Sequence, residues 1–335
     1  MAKRVSRADI AKSLNLSLAT VKRALGNYAG VDVDTKRRVL AEAERLGYKF
    51  GVSKADAAII MPSVPSYFWR ELRTYLELYT KEEGICCRFY FFHDINDESD
   101  ALQCMERAAE SGASVFICAL PDTQALREKI DLIKDKIKII FIEEFNFMDI
   151  DGCYYIGENP YEEGYMLAKR YLSMYNDRRR FLVFGSKLSR KETRLEGFLS
   201  ALREEGITAV WGEVPVIINT KARAAIWARE IKKHMVGTDC IFYALGMINL
   251  LADALAKLDG GTDIHIIGFD NDEGSSFDNV MLAALQNLRN QAEAAARTAG
   301  EYIRYGRFPK ERCFFVKDKI IQKNRAIGES RGHKD

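Results

Sequence analysis

Long apolar runs are missing from this 335-residue sequence. None approaches the ~20 residues that a helix needs to cross a bilayer, which excludes a transmembrane span. Met1-Ala2-Lys3-Arg4-Val5-Ser6 leads into polar helical sequence without the apolar core of an export signal, so a cytoplasmic location is expected. The seven cysteines (Cys86, Cys87, Cys104, Cys118, Cys153, Cys240 and Cys313) contain no CxxC spacing and mostly sit in apolar stretches. They read as small core residues of a reduced compartment rather than as disulfide staples or zinc ligands. Histidine is scarce, and His93, His234, His265 and His333 are scattered, so no metal set is expected. No GxGxxG follows a strand, and neither a P-loop nor a GxSxG turn occurs. The expectation is therefore a non-enzyme without a cofactor.

What is present is a globular composition, 47% apolar and 29% charged. At roughly 150 residues per domain the length suggests two domains with room for a small third. The net charge of +2 conceals an asymmetry. Residues 1–50 carry eleven Lys/Arg against five Asp/Glu, whereas the remainder carries 39 against 43. A basic head on a mildly acidic body points to a polyanion partner for the head alone.

The head, residues 1–49, reads as three short helices. Ser6 caps the first, which runs through Ala8, Ile10, Ala11 and Leu14. Ser17 caps a second from Leu18 to Leu25, stopped by Gly26-Asn27. Asp32 caps a third, with Val39, Leu40, Ala43 and Leu46 on one face and Gly47 past its end. Such a trio matches a helix-turn-helix, whose second helix enters the major groove. With Val21, Ala24 and Leu25 turned to the core, Leu18, Ala19, Lys22 and Arg23 face outward. Arg reads guanine O6/N7 bidentately, Leu and Ala touch a thymine methyl, and Lys either reads a base or holds a phosphate. The competing reading is a generic three-helix bundle with a solvated basic face.

The run S-R-A-D-I-A-K-S-L-N-L-S-L-A-T-V-K-R-A-L-G, followed by V-D-V-D-T-K-R-R-V-L-A-E-A-E-R-L-G-Y, resembles the DNA-binding head of the lac-repressor (LacI/GalR) family. It departs at Lys22, where the family usually has Ser, at Gly26 for Asn, and at Asp32 for the capping Ser. The resemblance implies that Leu18, Ala19, Lys22 and Arg23 read bases, while Ser6, Arg7, Ser17 and Thr20 position the head, largely on phosphates. It further implies a homodimer on a pseudo-palindromic double-stranded operator.

From Ala57 onward, apolar runs alternate with amphipathic stretches, the pattern of βαβ units and parallel sheets. Strands are expected over Ala57–Pro62, Cys86–His93, Ser114–Leu120, Lys138–Glu144, Arg180–Ser186, Ala209–Pro215, Cys240–Leu245 and Ile264–Asp270. Helices are expected over Tyr67–Glu83, Tyr161–Tyr175, Lys191–Glu205, Lys221–Met235 and Asn287–Tyr305. So many strands suit two sheets better than one. The segments T-R-L-E-G-F, E-N-P-Y-E-E-G-Y-M-L-A and I-I-G-F-D-N resemble the family's body, a two-lobed fold shared with periplasmic sugar-binding proteins. The expected architecture is an all-α helix-turn-helix head plus a periplasmic-binding-protein-like α/β body with two parallel doubly wound sheets. The body spans 57–325, with one lobe about 57–158 and 288–320 and the other about 159–287 plus the C-terminal segment. Crossings are expected near 157–161, 286–290 and 318–323, and a tail over 326–335.

Ligands of open α/β sheets bind beyond the carboxyl ends of the strands, and two lobes would place the cleft between two sheets. Strand ends then nominate Ser63, Tyr67, Phe68, Trp69, Asp94, and Glu143 or Glu144 in the first lobe, with Arg194 and Asp270 in the second. Arg and Asp pair with polyol hydroxyls, and aromatics stack on the ring's C–H face. At least one of the aromatic trio is expected in the core. Arg194 and Asp270 match the family's effector-binding Arg and Asp. After the strand ending at Tyr243, however, Ala244-Leu245 stands where the family has Asn-Asp, which argues against a plain hexose.

The connector is short. Lys49-Phe50-Gly51-Val52-Ser53-Lys54-Ala55-Asp56 lacks the family's Pro-Asn and Ala-x-x-Leu, so the hinge helix over 50–56 is expected to be reduced or absent, with Phe50 or Val52 as the remaining candidate wedge. The tail shows no heptad, which favours a dimer over a tetramer. Together these features describe a transcription regulator, a repressor by resemblance, controlled by a sugar or related metabolite held between the lobes. The alternatives are a DNA-binding regulator governed by a protein partner and, least supported, an enzyme on the α/β body.

Overall fold

A computed structural model describes residues 5–26, 31–46, 48, 56–63, 66–93, 98–143, 145–185, 193–213, 220–246, 248–259, 264–270 and 280–322. The connector at 49–55, Asp94, Glu144, Gly47, and the tail from 323 onward lie outside the described residues.

The first three elements are helices α1 (Arg7–Leu14), α2 (Leu18–Gly26) and α3 (Val33–Arg45). Ser6 caps α1 by a capping box: its side chain accepts from the Asp9 N–H while the Asp9 carboxylate accepts from the Ser6 N–H at 2.7 Å. Asn15 closes α1 in the left-handed region at φ 53, a conformation asparagine tolerates well. Ser17 Oγ accepts the Thr20 N–H at 3.0 Å at the start of α2, and Asp32 Oδ1 accepts the Thr35 N–H at 2.8 Å at the start of α3. Ile10, Ala11, Val21, Ala24, Leu25, Val39 and Ala43 form the core between the three helices. Glu42 ties α3 to α1, accepting from Ser13 and from two nitrogens of Arg45 at 2.6 and 2.7 Å. Those donors, Arg45 first, hold its carboxyl down at about 2.

The chain as a whole divides into two compact units, the three helices counting with the first. One comprises residues up to Pro65 with Leu72–Ile156 and Ala292–Cys313, the other Ser66–Glu71, Gly157–Gln291 and Phe314–Asp335. In chain order the elements are β1 (Ala57–Pro62), α4 (Tyr67–Glu82), β2 (Cys87–Phe92), α5 (Glu98–Glu110), β3 (Val115–Cys118), α6 (Gln124–Ile133), β4 (Lys138–Ile142) and β5 (Cys153–Gly157). There follow α7 (Pro160–Met174), β6 (Phe181–Gly185), α8 (Thr193–Glu204), β7 (Val210–Glu213), α9 (Lys221–Lys232), β8 (Cys240–Tyr243), α10 (Ile248–Asp259) and β9 (His265–Phe269). The chain closes with β10 (Val280–Leu285), α11 (Leu288–Tyr305), β11 (Cys313–Phe315) and β12 (Lys319–Gln322).

Six strands in the order β2-β1-β3-β4-β5-β11 make the first sheet, and β7-β6-β8-β9-β10-β12 make the second. The two are wired alike, a repetition of architecture without a repeat in the sequence. In the second sheet, residues alternate faces as a strand period of two requires. Phe181, Val183, Phe242, Ile267 and Phe269 pack under α7 and α8. Leu182, Phe184, Ile241, Tyr243 and Ile266 pack under α9 and α10. Being covered on both faces, these strands read as continuous apolar runs.

Two expectations need correction. The sheets are not wholly parallel: β12 runs antiparallel to β10, pairing Leu282 with Gln322 and Leu285 with Lys319. Four strands escape the sequence reading, namely β5, β10, β11 and β12. Of these, β11 and β12 have three and four residues and close the edges of their sheets, where one flank needs no pairing and the apolar signal is weak. The chain passes from the first sheet to the second for the last time between β11, which ends at Phe315, and β12, which begins at Lys319.

Candidate nucleic-acid interface and effector site

On α2 the burial pattern divides the helix cleanly. Val21, Ala24 and Leu25 are buried, while Leu18, Ala19, Lys22 and Arg23 are exposed, Leu18 by 54%. Ser6, Arg7 and Ser17 are exposed and Thr20 half-buried. Ser6 and Ser17 serve as helix caps, the Ser17 and Thr20 hydroxyls lie 2.8 Å apart, and Arg7 Nε donates to the Tyr48 hydroxyl at 3.1 Å.

In the second sheet the strand order reverses between β6 and β8, where open α/β sheets leave a crevice beyond their carboxyl ends. Arg194, in the first turn of α8, occupies that end. Its guanidinium lies 4.0 Å from the Phe269 ring centroid, donates to the Ala244 carbonyl at 3.5 Å and is ion-paired with Glu158. Asp270 follows Phe269 with φ 55, a left-handed conformation in which its N–H still donates to the Ala284 carbonyl at 3.0 Å. Its carboxylate sits where a side chain on Gly246 would stand, so that glycine keeps the space open.

The position of Arg194 follows from two glycines. Gly164 of α7 packs against the Arg194 backbone, and Gly197 of α8 packs against the Tyr161 backbone. A Cβ at either would overlap main-chain atoms, so the two helices can approach this closely only with glycine at both places. Asn159 caps α7 by accepting the Glu162 N–H at 3.3 Å, with Pro160 in the first turn. That cap sets Glu158 immediately before the helix, where it meets Arg194.

Of the aromatic candidates, Tyr67 is 50% exposed and Phe68 and Trp69 are half-buried, packed edge to face at 5.0 Å. The expectation that one of them belongs to the core fails, because Leu72 and Leu76 fill the buried face of α4 instead. Ser63 is exposed and donates its N–H to the Phe92 carbonyl at 2.7 Å. Glu143, after β4, has φ 72, a strained value for a non-glycine residue. Asp94 and Glu144 lie outside the described residues, so the structure brings together Arg194, Ala244, Phe269 and Asp270 from the expected set and its neighbourhood.

Sequence reasoning missed three acids at this end of the second unit. Glu158, Glu163 and Asp318 each present a carboxylate oxygen within 4.8 Å of the others. Burial, then the neighbouring carboxylates, push the Glu163 and Asp318 carboxyls above the ordinary range. Glu158 and Glu163 stand in the E-N-P-Y-E-E-G segment, but nothing local joins them to Asp318.

A sequence model of the periplasmic binding protein domain matches residues 57–307. The HTH-type transcriptional regulator DegA of Bacillus subtilis (strain 168) is 22% identical, the match covering 94% of this chain and 96% of DegA. The glucose-galactose binding protein GanP from Geobacillus stearothermophilus superposes with a TM-score of 0.67 at 17% identity, covering 81% of this chain and 98% of GanP. A lac repressor dimer bound to operator and the anti-inducer ONPF superposes with a TM-score of 0.65 at 13% identity, covering 96% of this chain and 98% of that one. These relatives are regulators and binding proteins rather than enzymes. Among the described residues no helix is long and apolar enough to cross a membrane.

Proposed function

We propose, from the premise that the chain belongs to the periplasmic binding protein domain family, that it is a sequence-specific DNA-binding transcription regulator controlled by a small-molecule effector. The observation that carries this reading is the outward set Leu18, Ala19, Lys22 and Arg23 on a second helix whose opposite face is fully packed. Arg23 and Lys22 read base edges in the major groove, Leu18 and Ala19 contact thymine methyls, and Ser6, Arg7, Ser17 and Thr20 set the head on phosphates. Two heads of a homodimer occupy half-sites of an operator, and the protein acts as a repressor.

The effector is a sugar or related metabolite held by Arg194 and Asp270, with Tyr67, Phe68, Trp69, Asp94 and Glu143 as further contacts. Arg194 is pre-oriented by Glu158 and the Phe269 face, which lowers the entropy lost when it takes up a ligand. Ala244 offers only a backbone carbonyl there, so the ligand presents a hydrogen-bond donor or an apolar edge at that point. Effector and DNA are coupled by about 1–3 kcal/mol, the usual range for allosteric pairs.

The test has two arms. A thermal-shift panel of sugars, sugar acids, polyols and nucleosides should give at least one hit, since a bound ligand raises the melting temperature by mass action. Operator selection from random duplexes should then enrich a two-fold symmetric site, with binding altered by that hit. Failure to bind any duplex at low salt would sink the regulator reading. Operator binding that no metabolite changes would instead point to control by a protein partner.

A further inference from the structure

Glu158 is only 5% exposed, and its two oxygens have different fates. One is ion-paired with Arg194, whereas the buried Oε2 accepts no hydrogen bond. Glu163 Oε2 and Asp318 Oδ2 are likewise buried without a donor. Asp318 Oδ1 accepts the Asn287 N–H at 3.3 Å. Among the described residues no lysine or arginine forms an ion pair with Glu163 or Asp318. Three carboxylates thus converge out of water with a single guanidinium between them, and three of their oxygens lack a donor. An uncompensated buried carboxylate costs several kcal/mol, so these acids must either share protons among themselves, as the raised Glu163 and Asp318 carboxyls can, or surround a cation that displaces those protons.

We infer that Glu158, Glu163 and Asp318 form a binding site for a hard divalent cation. The ligand set is all oxygen, with no thiolate or imidazole, which selects the calcium, manganese and magnesium class over zinc or copper. The spacing agrees. Oxygens on opposite sides of a Ca2+ ion, each at about 2.3–2.6 Å, lie ~5 Å apart, and here all three fall within 4.8 Å. Charge agrees as well: a dication balances what Arg194 leaves uncompensated.

The three ligands also sit at particular places in the chain. Beyond the short stretch Ser66–Glu71, it enters the second unit after Ile156, leaves it after Gln291 and returns after Cys313. Glu158 belongs to the first of these passages and Asp318 to the third, while Asn287, which holds Asp318, precedes the second. A cation here cross-links passages far apart in sequence, and through Glu158 it fixes the carboxylate that orients Arg194. The site shares no residue with the DNA-reading face of α2.

The experiment uses the full chain, stripped with a chelator and dialysed. MnCl2 is titrated in while the electron paramagnetic resonance signal of free Mn2+ is followed, and CaCl2 and MgCl2 are titrated by calorimetry. The expected result is saturable binding of one ion per chain below about 1 mM, with a rise in melting temperature. Asp318→Asn and Glu163→Gln should each weaken binding by at least about tenfold. Circular dichroism verifies that each variant is folded; should one not fold, the other carries the comparison. A folded wild-type chain that binds none of the three ions, or a folded Asp318→Asn or Glu163→Gln chain that binds as the wild type does, overturns the proposal.

Discussion

At position 194 a guanidinium is held by a ring face, a carbonyl and a buried carboxylate at once. Removing one partner of a buried ion pair leaves the other charged and dry, which typically costs about 3–5 kcal/mol. Arg194→Ala should therefore lower stability by roughly 3 kcal/mol in urea unfolding, and adding Glu158→Gln should recover part of the loss. No recovery in the double variant would mean that Glu158 is not the group left stranded. Asp239 is a second residue whose surroundings set its charge. It accepts from the Arg179 and Arg180 N–H groups at 3.1 and 3.0 Å and from the Arg180 guanidinium at 2.6 and 3.1 Å. These bonds, the Arg180 side chain first, depress its pKa. A depressed carboxylate stabilises the fold above its unfolded pKa, and the contribution disappears as pH falls through the folded value. Arg180 is mostly exposed, so the effect is modest, about 1 kcal/mol. Asp239→Asn should melt lower than wild type at pH 7, with the gap closing below about pH 4. A gap that stays constant down to pH 3 would assign the loss to packing instead.

Among the elements, α7 and α8 form the pair on which the candidate site depends. Gly164 and Gly197 admit each helix to the other's backbone, and under them Phe198 stacks on Phe242 at 3.8 Å. Gly197→Ala forces the helices apart and should cost about 1–3 kcal/mol, the usual penalty of overpacking. Because the displaced turn carries Arg194, it should also weaken effector binding more than a surface change of equal stability cost. Equal effects on the two would break the link between helix spacing and site geometry. The glycines were visible in E-E-G-Y and L-E-G-F, but only as marks of a resemblance; what they do is a matter of interhelical distance. The head was more legible. Ser6, Ser17 and Asp32 announce helix starts through hydrogen bonds that span three residues, so sequence alone places them. Strands β5, β10, β11 and β12 were not legible, since an apolar run becomes a strand only where a partner strand awaits it.

For the whole molecule, the head has a core of its own, Ile10 to Ala43, which shares no residue with the clusters around the two sheets. A chain beginning at Asp56 should keep cooperative unfolding and any ligand-induced thermal shift while losing duplex binding entirely. Unfolding of the truncated chain at room temperature would show that head and body cannot be treated as separate cores. In the full chain, Arg23→Ala should erase base preference, bringing specific binding toward the random-sequence level, a loss of about 1–3 kcal/mol at the affected base pair. Equal losses on specific and random duplexes would reassign Arg23 to the phosphates.

The order of amino acids by itself determined the caps, the outward face of α2 and the alternation of buried strands with helices. Each of these is settled by neighbours within a few residues, through hydrogen bonds to the next turn or through the period of a strand. Tertiary structure alone decided the antiparallel β12, the pairing of Arg194 with Glu158, and the meeting of Glu158 and Glu163 with Asp318. Those groups interact through space across long stretches of chain, and burial gives their charges a strength that no local pattern encodes.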